Sequence, residues 1–274
     1  MPEPDTAHQT DLALLLAAAE RAGEIARQYW RQDPVAWEKD AGAGPVSEAD
    51  LAVNAFLEDN LRGTRPDYGW LSEESEADPS RLDAEFCFII DPIDGTRAFI
   101  DGQQGFSHSL AIAQGERIVA AVVHLPVMGL TYAAQADGPA TLNGAPIGPS
   151  DAAIAGASVL TYRAATEPQH WVGGIAPPFR REFRPSLAWR LCLASEGRFD
   201  AALSLRAAWE WDIAAGALIA ERAGAAVSDI HGAAMRFNSP RALVPGLVVA
   251  GPRLHAELLA ALATGPVSPH HRTE

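Results

Sequence analysis

The sequence predicts an α+β chain that passes into α/β alternation, and three observations carry that class. Two segments with helical spacing open the chain, β-favouring stretches joined by short turns follow, and the second half alternates strand with helix.

From Asp11 to Trp30, the apolar residues Leu12, Leu15, Leu16, Ala19, Ile25 and Tyr29 recur on one helical face. The Gly/Pro-rich stretch KDAGAGPVS reads as a loop ending at Ser47. SEADLAVNAFLEDNLRG reads as a second helix, capped by Ser47 and stopped by Gly63. Phe86 to Ile90 is short, apolar and β-favouring, and reads as a buried strand. SLAIAQGERIVAAVVHLP then predicts a hairpin turning at Gly115, and GLTYAA a third antiparallel strand.

Gly, Pro and Asn gather between Asp137 and Ser150, which suits a boundary between an N-terminal α+β subdomain, 1–145, and a C-terminal α/β subdomain, 146–274. Beyond it come strand ASVLTY, helix SLAWRLCLASEG, strand FDAALSL, helix WDIAAGALIAERAG and strand AAVSD. From about Thr264 the chain reads as a frayed tail.

Composition narrows the function. The 274 residues, 48% hydrophobic and 20% charged, suffice for a substantial core and argue against disorder. With 21 Lys+Arg against 35 Asp+Glu, the net charge of −14 disfavours nucleic-acid polymers and anionic membranes. That field also repels phosphorylated substrates unless metal ions or local arginines intervene. Cys87 and Cys192 give no disulfide framework and read as reduced core thiols. MPEPDTAHQT lacks the pattern of a signal peptide, and LALLLAAAE is too short to span a bilayer, so a soluble cytoplasmic protein is expected.

Acids stand out at Asp50, at Glu73 and Glu74 in WLSEES, at Asp91 and Asp94 in DPIDGT, and at Asp212 in WEWDIAAG. Hard divalent cations such as Mg²⁺ take carboxylate oxygens, and the eight histidines show no spacing that would favour zinc. Each acid also has a structural reading. Asp212 can cap a helix, Asp50 can be the N3 acid of a capping box, and the two glutamates can be a solvated loop. A turn accounts poorly for DPIDGT, because an apolar strand runs straight into paired like charges.

IIDPIDGTRAF resembles the signature of the inositol monophosphatase superfamily, the Mg²⁺-dependent and typically lithium-sensitive phosphomonoesterases. SEES upstream and WDIAAGALIAERAG downstream resemble its two other metal motifs, in the same order. Asp101 departs from it, standing where the signature usually ends in a basic or polar residue. The resemblance implies a layered αβαβα sandwich, commonly dimeric. It implies that Glu73, Asp91 and the Ile93 carbonyl bind one Mg²⁺, and that Asp91, Asp94 and Asp212 bind a second. Such a pair of ions can clamp the attacking and leaving oxygens of an in-line displacement. Thr96, hydrogen-bonded to Glu73, would orient and deprotonate the attacking water, and Asp50 would support a third, weaker metal or its water. Amides of Gly95 and Thr96 at a short helix start would cradle the phosphate.

The substrate is read from the second half. Many inositol monophosphatases carry an acid about seven residues before the WD aspartate, but that position is Leu205 here, and Glu210 needs a shift to serve. The region LAWRLCLASEGRFDAALSLRAAWEWDIAAG resembles instead the bacterial 3′(2′),5′-bisphosphate nucleotidases, with Arg190, Arg206 and Pro245-Gly246 as matches. Arg180, Arg181 and Arg184 add local positive charge, or are simply solvated. A guanidinium suits a second phosphate that is not hydrolysed. The reading leans to the nucleotidase, then to inositol-1-phosphate and histidinol-phosphate phosphatases. The non-enzymatic rival is a metal-binding regulatory module, against which the completeness of Glu73, Asp91, Asp94, Thr96 and Asp212 argues.

Overall fold

The computed structural model describes residues 10–39 and 44–263. The expected tail from Thr264 lies outside the described residues. Thr10 starts the first helix, α1 (Asp11–Tyr29), by accepting the Ala13 N–H on its side chain. The small residues Ala18, Ala19, Ala22 and Ala26 give α1 a thin buried face, so it lies close on the sheet beneath. Val35 leads into a short antiparallel pair, β1 (Ala36–Glu38) with β2 (Pro45–Ser47), and β2 takes up the end of the expected loop. Ser47 and Asp50 then form the expected capping box of α2 (Glu48–Thr64), which runs one residue past Gly63.

The first sheet has seven strands in simple sequence order. They are β3 (Gly69–Ser72), β4 (Phe86–Asp94), β5 (Ser107–Gln114), β6 (Arg117–Leu125), β7 (Leu130–Gln135), β8 (Thr141–Leu142) and β9 (Ala145–Pro146). All neighbours run antiparallel except β3 and β4. The meander was legible, whereas β3 was not, because GWLS is too short to show a period. β4 also outruns the expected strand end at Ile90. Its pairing with β5 shifts register between Asp91 and Asp94, so a bulge carries the acids at the strand's end.

The second sheet orders as β11 (Arg180–Glu182), β10 (Ser158–Leu160), β12 (Ala201–Ser204), β16 (Leu247–Ala250) and β14 (Ala226–Ser228). Two helices, α4 (Leu187–Ser195) and α5 (Glu210–Ala223), fill the space between the sheets, their apolar residues sharing one buried core with both. A small pair, β13 (Ala208–Trp209) with β15 (Leu243–Val244), leads into α5. The five-residue α3 (Thr96–Ile100) follows β4, and α6 (Pro252–Ala261) covers the outer face of the second sheet with Leu254 and Leu258. The layers therefore run α1 and α2, seven strands, α4 and α5, five strands, α6: the αβαβα sandwich. β16 and α6 escaped sequence reading, since LVVA is a four-residue run and α6 starts from Gly251 with no side-chain cap.

Cys87 and Cys192 are buried free thiols. Among the described residues no helix is long and apolar enough to cross a membrane.

Candidate active site

The site is built where β4 ends. Pro92 has no N–H to give the ladder, and the Asp91 carboxylate accepts the Ile93 N–H at 3.0 Å, which turns the chain. Gly95 follows at φ +97°, a left-handed conformation that a side chain would strain, and lets α3 start at once. The buried His108 ring on β5 hydrogen-bonds the Pro92 carbonyl and braces the bulge from behind.

Glu73, at the end of β3, Asp91, at the end of β4, and Asp212, in the first turn of α5, converge there. One carboxylate oxygen from each lies within 4.8 Å of the others. An octahedral Mg²⁺ holds its oxygens at about 2.0–2.1 Å, which puts opposite ligands about 4 Å apart, so these acids fit a hard divalent ion. The electrostatics agree. Burial pushes the Asp91 carboxyl well above its ordinary range, and the charges of Glu73, Asp94, Asp212 and Glu74 push the same way. A bound cation would hold such a cluster ionised. Mg²⁺ there would neutralise phosphoryl charge and lower the pKa of a water.

Sequence reasoning missed a protein cation at this cluster. Lys39 Nζ reaches Glu73 at 3.1 Å and Glu74 at 2.5 Å. Its pKa is raised: burial works against the charge, but the two glutamates outweigh it. Glu74 is pushed up to about 7 by burial and by Glu73, with Lys39 opposing. A lone lysine before a glycine-rich loop carries no signal that could have placed it here.

Asp94 also has a structural role. It lines the same cleft, but its Oδ2 accepts the Ser186 hydroxyl at 2.6 Å and the Ala188 N–H at 2.7 Å, capping α4. It therefore ties the metal loop to α4 as well as facing the acids.

Thr96 has a different partner from the expected one. Its hydroxyl bonds Asp50 Oδ1 at 3.0 Å and the Ile93 carbonyl at 3.1 Å, so its carboxylate partner is Asp50 where Glu73 was expected. The other Asp50 oxygen accepts the Ser47 N–H at 2.9 Å and hydroxyl at 2.6 Å. Asp50 is thus both the helix-capping acid and a site residue, and the two readings do not compete. Burial pushes it up to about 6, with the Ser47 and Thr96 hydrogen bonds holding it down.

The cleft encloses about 370 Å³. Its wall also carries Tyr162, Phe183, Arg190, Ser204 and Arg206, with Arg97, Asp101 and Gln103 on the α3 side. The Arg206 guanidinium stacks on Tyr162 at 4.2 Å, and Arg190 on Phe183 at 4.3 Å. Arg190 also donates to the carbonyls of Arg184 and Pro185, and its charge acts on Asp94 and Asp212. Arg184 stacks on Phe199, and Arg180 and Arg181 stand exposed on the edge strand β11, outside the cleft lining. Leu205 is buried. Glu210 is buried as well and holds the N–H groups of Asn238 and Ser239, so the shift that would bring it to substrate does not occur.

Known proteins resemble this chain over most of its length. The profile of the Inositol monophosphatase family matches residues 8–265. A histidinol-phosphatase from Chlorobaculum parvum is 29% identical, covering 93% of this chain and 97% of its own. An inositol-1-monophosphatase from Rhizobium meliloti is 31% identical with the same two coverages, and the Nus factor SuhB of Escherichia coli is 30% identical, covering 91% and 94%. Among solved structures, an IMPase from Thermotoga maritima superposes with a TM-score of 0.77 at 25% identity, covering 91% of this chain and 95% of its own. Fold, acidic cluster and whole-chain likeness agree: this chain belongs to the inositol monophosphatase family of phosphatases, whose members are generally Mg²⁺-dependent.

Proposed function

We propose that the protein is a 3′(2′),5′-bisphosphate nucleotidase, converting adenosine 3′,5′-bisphosphate to AMP and phosphate with two or three Mg²⁺ ions. The observation that supports it is the mixed lining of the cleft. Glu73, Asp91 and Asp212 line it, and so does the Arg206–Tyr162 stack. A substrate with a second phosphate and a planar base meets a guanidinium and an aromatic face there. An inositol ring asks for an acid toward its hydroxyls, and neither Leu205 nor Glu210 supplies one. Glu73, Asp91 and Asp212 would hold metal, with Asp94 and the Ile93 carbonyl as further oxygen donors.

The protein's own part in the reaction centres on Thr96 and Asp50. With its hydroxyl directed at Asp50, the Thr96 oxygen keeps a lone pair for an incoming water. The proton of that water passes to Thr96 Oγ1 while the Thr96 proton moves to Asp50, whose pKa near 6 suits a base at neutral pH. Amides of Gly95 and Thr96 position the phosphate, and Arg190 balances the charge of Asp94. Thr96→Ala should keep metal affinity yet lower kcat by about 10²–10⁴-fold, the usual worth of positioned proton transfer. Steady-state kinetics beside Mn²⁺ binding check it, and wild-type turnover would take Thr96 out of the mechanism.

A second reading is histidinol phosphate. One relative carries that name, and Asp101, on the cleft wall, could meet an ammonium group. Phosphate release from adenosine 3′,5′-bisphosphate, histidinol phosphate and inositol 1-phosphate, at matched concentration with Mg²⁺ or chelator, separates these readings. The bisphosphate should lead, and chelation should stop release. Arg206→Ala should raise KM for the bisphosphate about ten- to a hundredfold, the worth of one charge-assisted hydrogen bond, and leave inositol 1-phosphate little changed. Faster turnover of histidinol phosphate, or no selective loss, would sink the nucleotidase. Release that persists in excess chelator would sink metal dependence.

A further inference from the structure

Glu210 lies two residues before Asp212, at the first position of α5, and it is fully buried. A carboxylate is costly to bury unless it is satisfied, and an apolar residue would fill this place more cheaply. It is satisfied here by the Asn238 N–H at 2.6 Å and the Ser239 N–H at 3.0 Å. Arg81, also buried, grips the same two residues from the other side. One guanidinium nitrogen donates to the Asn238 side-chain oxygen and the other to the Ser239 carbonyl at 2.7 Å. Asn238 itself sits at φ +55°, a conformation Asn tolerates better than most residues, so the turn between the two charges is specifically shaped.

The other end of this chain of contacts reaches the second metal motif. Arg81 belongs to the short 3₁₀ turn Pro79–Leu82, which packs against the start of β3. A Cβ on Gly69 would come within 2.8 Å of the Arg81 Cβ, so only glycine allows this approach. β3 runs from Gly69 to Ser72, and Glu73 follows it directly. One continuous path therefore links Glu73 to Asp212: β3, Arg81, the Asn238–Ser239 turn, Glu210, α5.

We propose that Glu210 and Arg81 form a buried strut that sets the spacing of Glu73 and Asp212, making both positioning residues for the metal site. The proposal rests on the metal-dependent reading above. Groups that support metal ligands from behind typically change affinity or activity about 10–100-fold when altered. Glu210→Gln keeps the shape but turns an NH₂ toward one of the two N–H donors, so the α5 start must shift.

The test is Mn²⁺ binding to the intact, substrate-free protein, followed by the loss of the free-ion electron paramagnetic resonance signal. For Glu210→Gln the Mn²⁺ dissociation constant should rise about 10–100-fold. The Mg²⁺ concentration for half-maximal activity should rise in parallel, while kcat at saturating Mg²⁺ returns to within about threefold of wild type. A residue that merely supports folding would lower the melting temperature and leave both metal constants of the folded protein unmoved. Arg81→Lys keeps the charge but cannot grip both oxygens, and it should reproduce the affinity loss if Glu210→Gln does not fold. Wild-type Mn²⁺ affinity in a folded variant overturns the strut, as does failure of both variants to fold even with Mn²⁺. A wild-type protein that binds Mn²⁺ but hydrolyses no ester would sink the phosphatase reading and leave the strut standing.

Discussion

Asp91→Asn should lower kcat by about 10²–10⁴-fold and, without metal, make the protein more stable than wild type. The first effect follows from its place at the centre of the cluster, within reach of both Glu73 and Asp212. A metal ion contributes several kcal/mol of transition-state charge stabilisation, and each 1.36 kcal/mol is tenfold in rate. The second effect follows from the raised pKa. Asp91 is buried among Glu73, Asp94, Asp212 and Glu74, so its charge costs free energy whenever no cation is bound. With a folded pKa above the unfolded value near 3.9, wild type binds extra protons as pH falls and is relieved of that cost. The stability advantage of the asparagine variant should therefore be largest at high pH and close as pH falls toward about 4. Thermal melting in chelator from about pH 5 to 9, beside phosphate release with Mg²⁺, measures both effects. A wild-type rate would remove Asp91 from the site, and equal melting temperatures throughout would remove the repulsion argument.

Arg190→Ala should destabilise the protein by about 1–3 kcal/mol and impair every phosphate ester alike. The sequence alone suggested a different role, the partner of a second phosphate. In the structure Arg190 is engaged by the Arg184 and Pro185 carbonyls, rests on Phe183, and faces Asp94 and Asp212. Burial pulls its pKa down to about 10 while those two aspartates pull it up. Its removal leaves two carbonyls without a donor and takes away a positive charge that acts on Asp94 and Asp212. Urea unfolding and KM values on a bisphosphate and a monophosphate decide the matter. A stable variant with loss confined to the bisphosphate would return Arg190 to substrate binding.

The contrast between Arg190 and Arg206 shows what spacing could and could not say. Both arginines matched one pattern, and both line the cleft. Sequence separation does not reveal that α4 turns Arg190 back onto its own preceding loop, while Arg206 lies along Tyr162 from a distant strand end. Asp50 teaches the same lesson in reverse. The capping box was legible because it is a four-residue pattern, but its free oxygen finds Thr96, 46 positions away, only after α2 packs beside the end of β4.

The sequence by itself determined the elements with a clear period and the chemistry of the motifs. The helical faces of α1 and α2, the meander from β5 to β7 and the order of SEES, DPIDGT and WD follow from local patterns of polarity, capping and charge. Only the tertiary structure decided which acids meet and what surrounds them. The bulge at Asp91, the capping of α4 by Asp94, the Lys39 contacts with Glu73 and Glu74, and the burial of Glu210 each join segments far apart in the chain. Their energies come from desolvation and from charges brought within a few ångströms. Both are properties of packed space, and a linear spacing does not carry them.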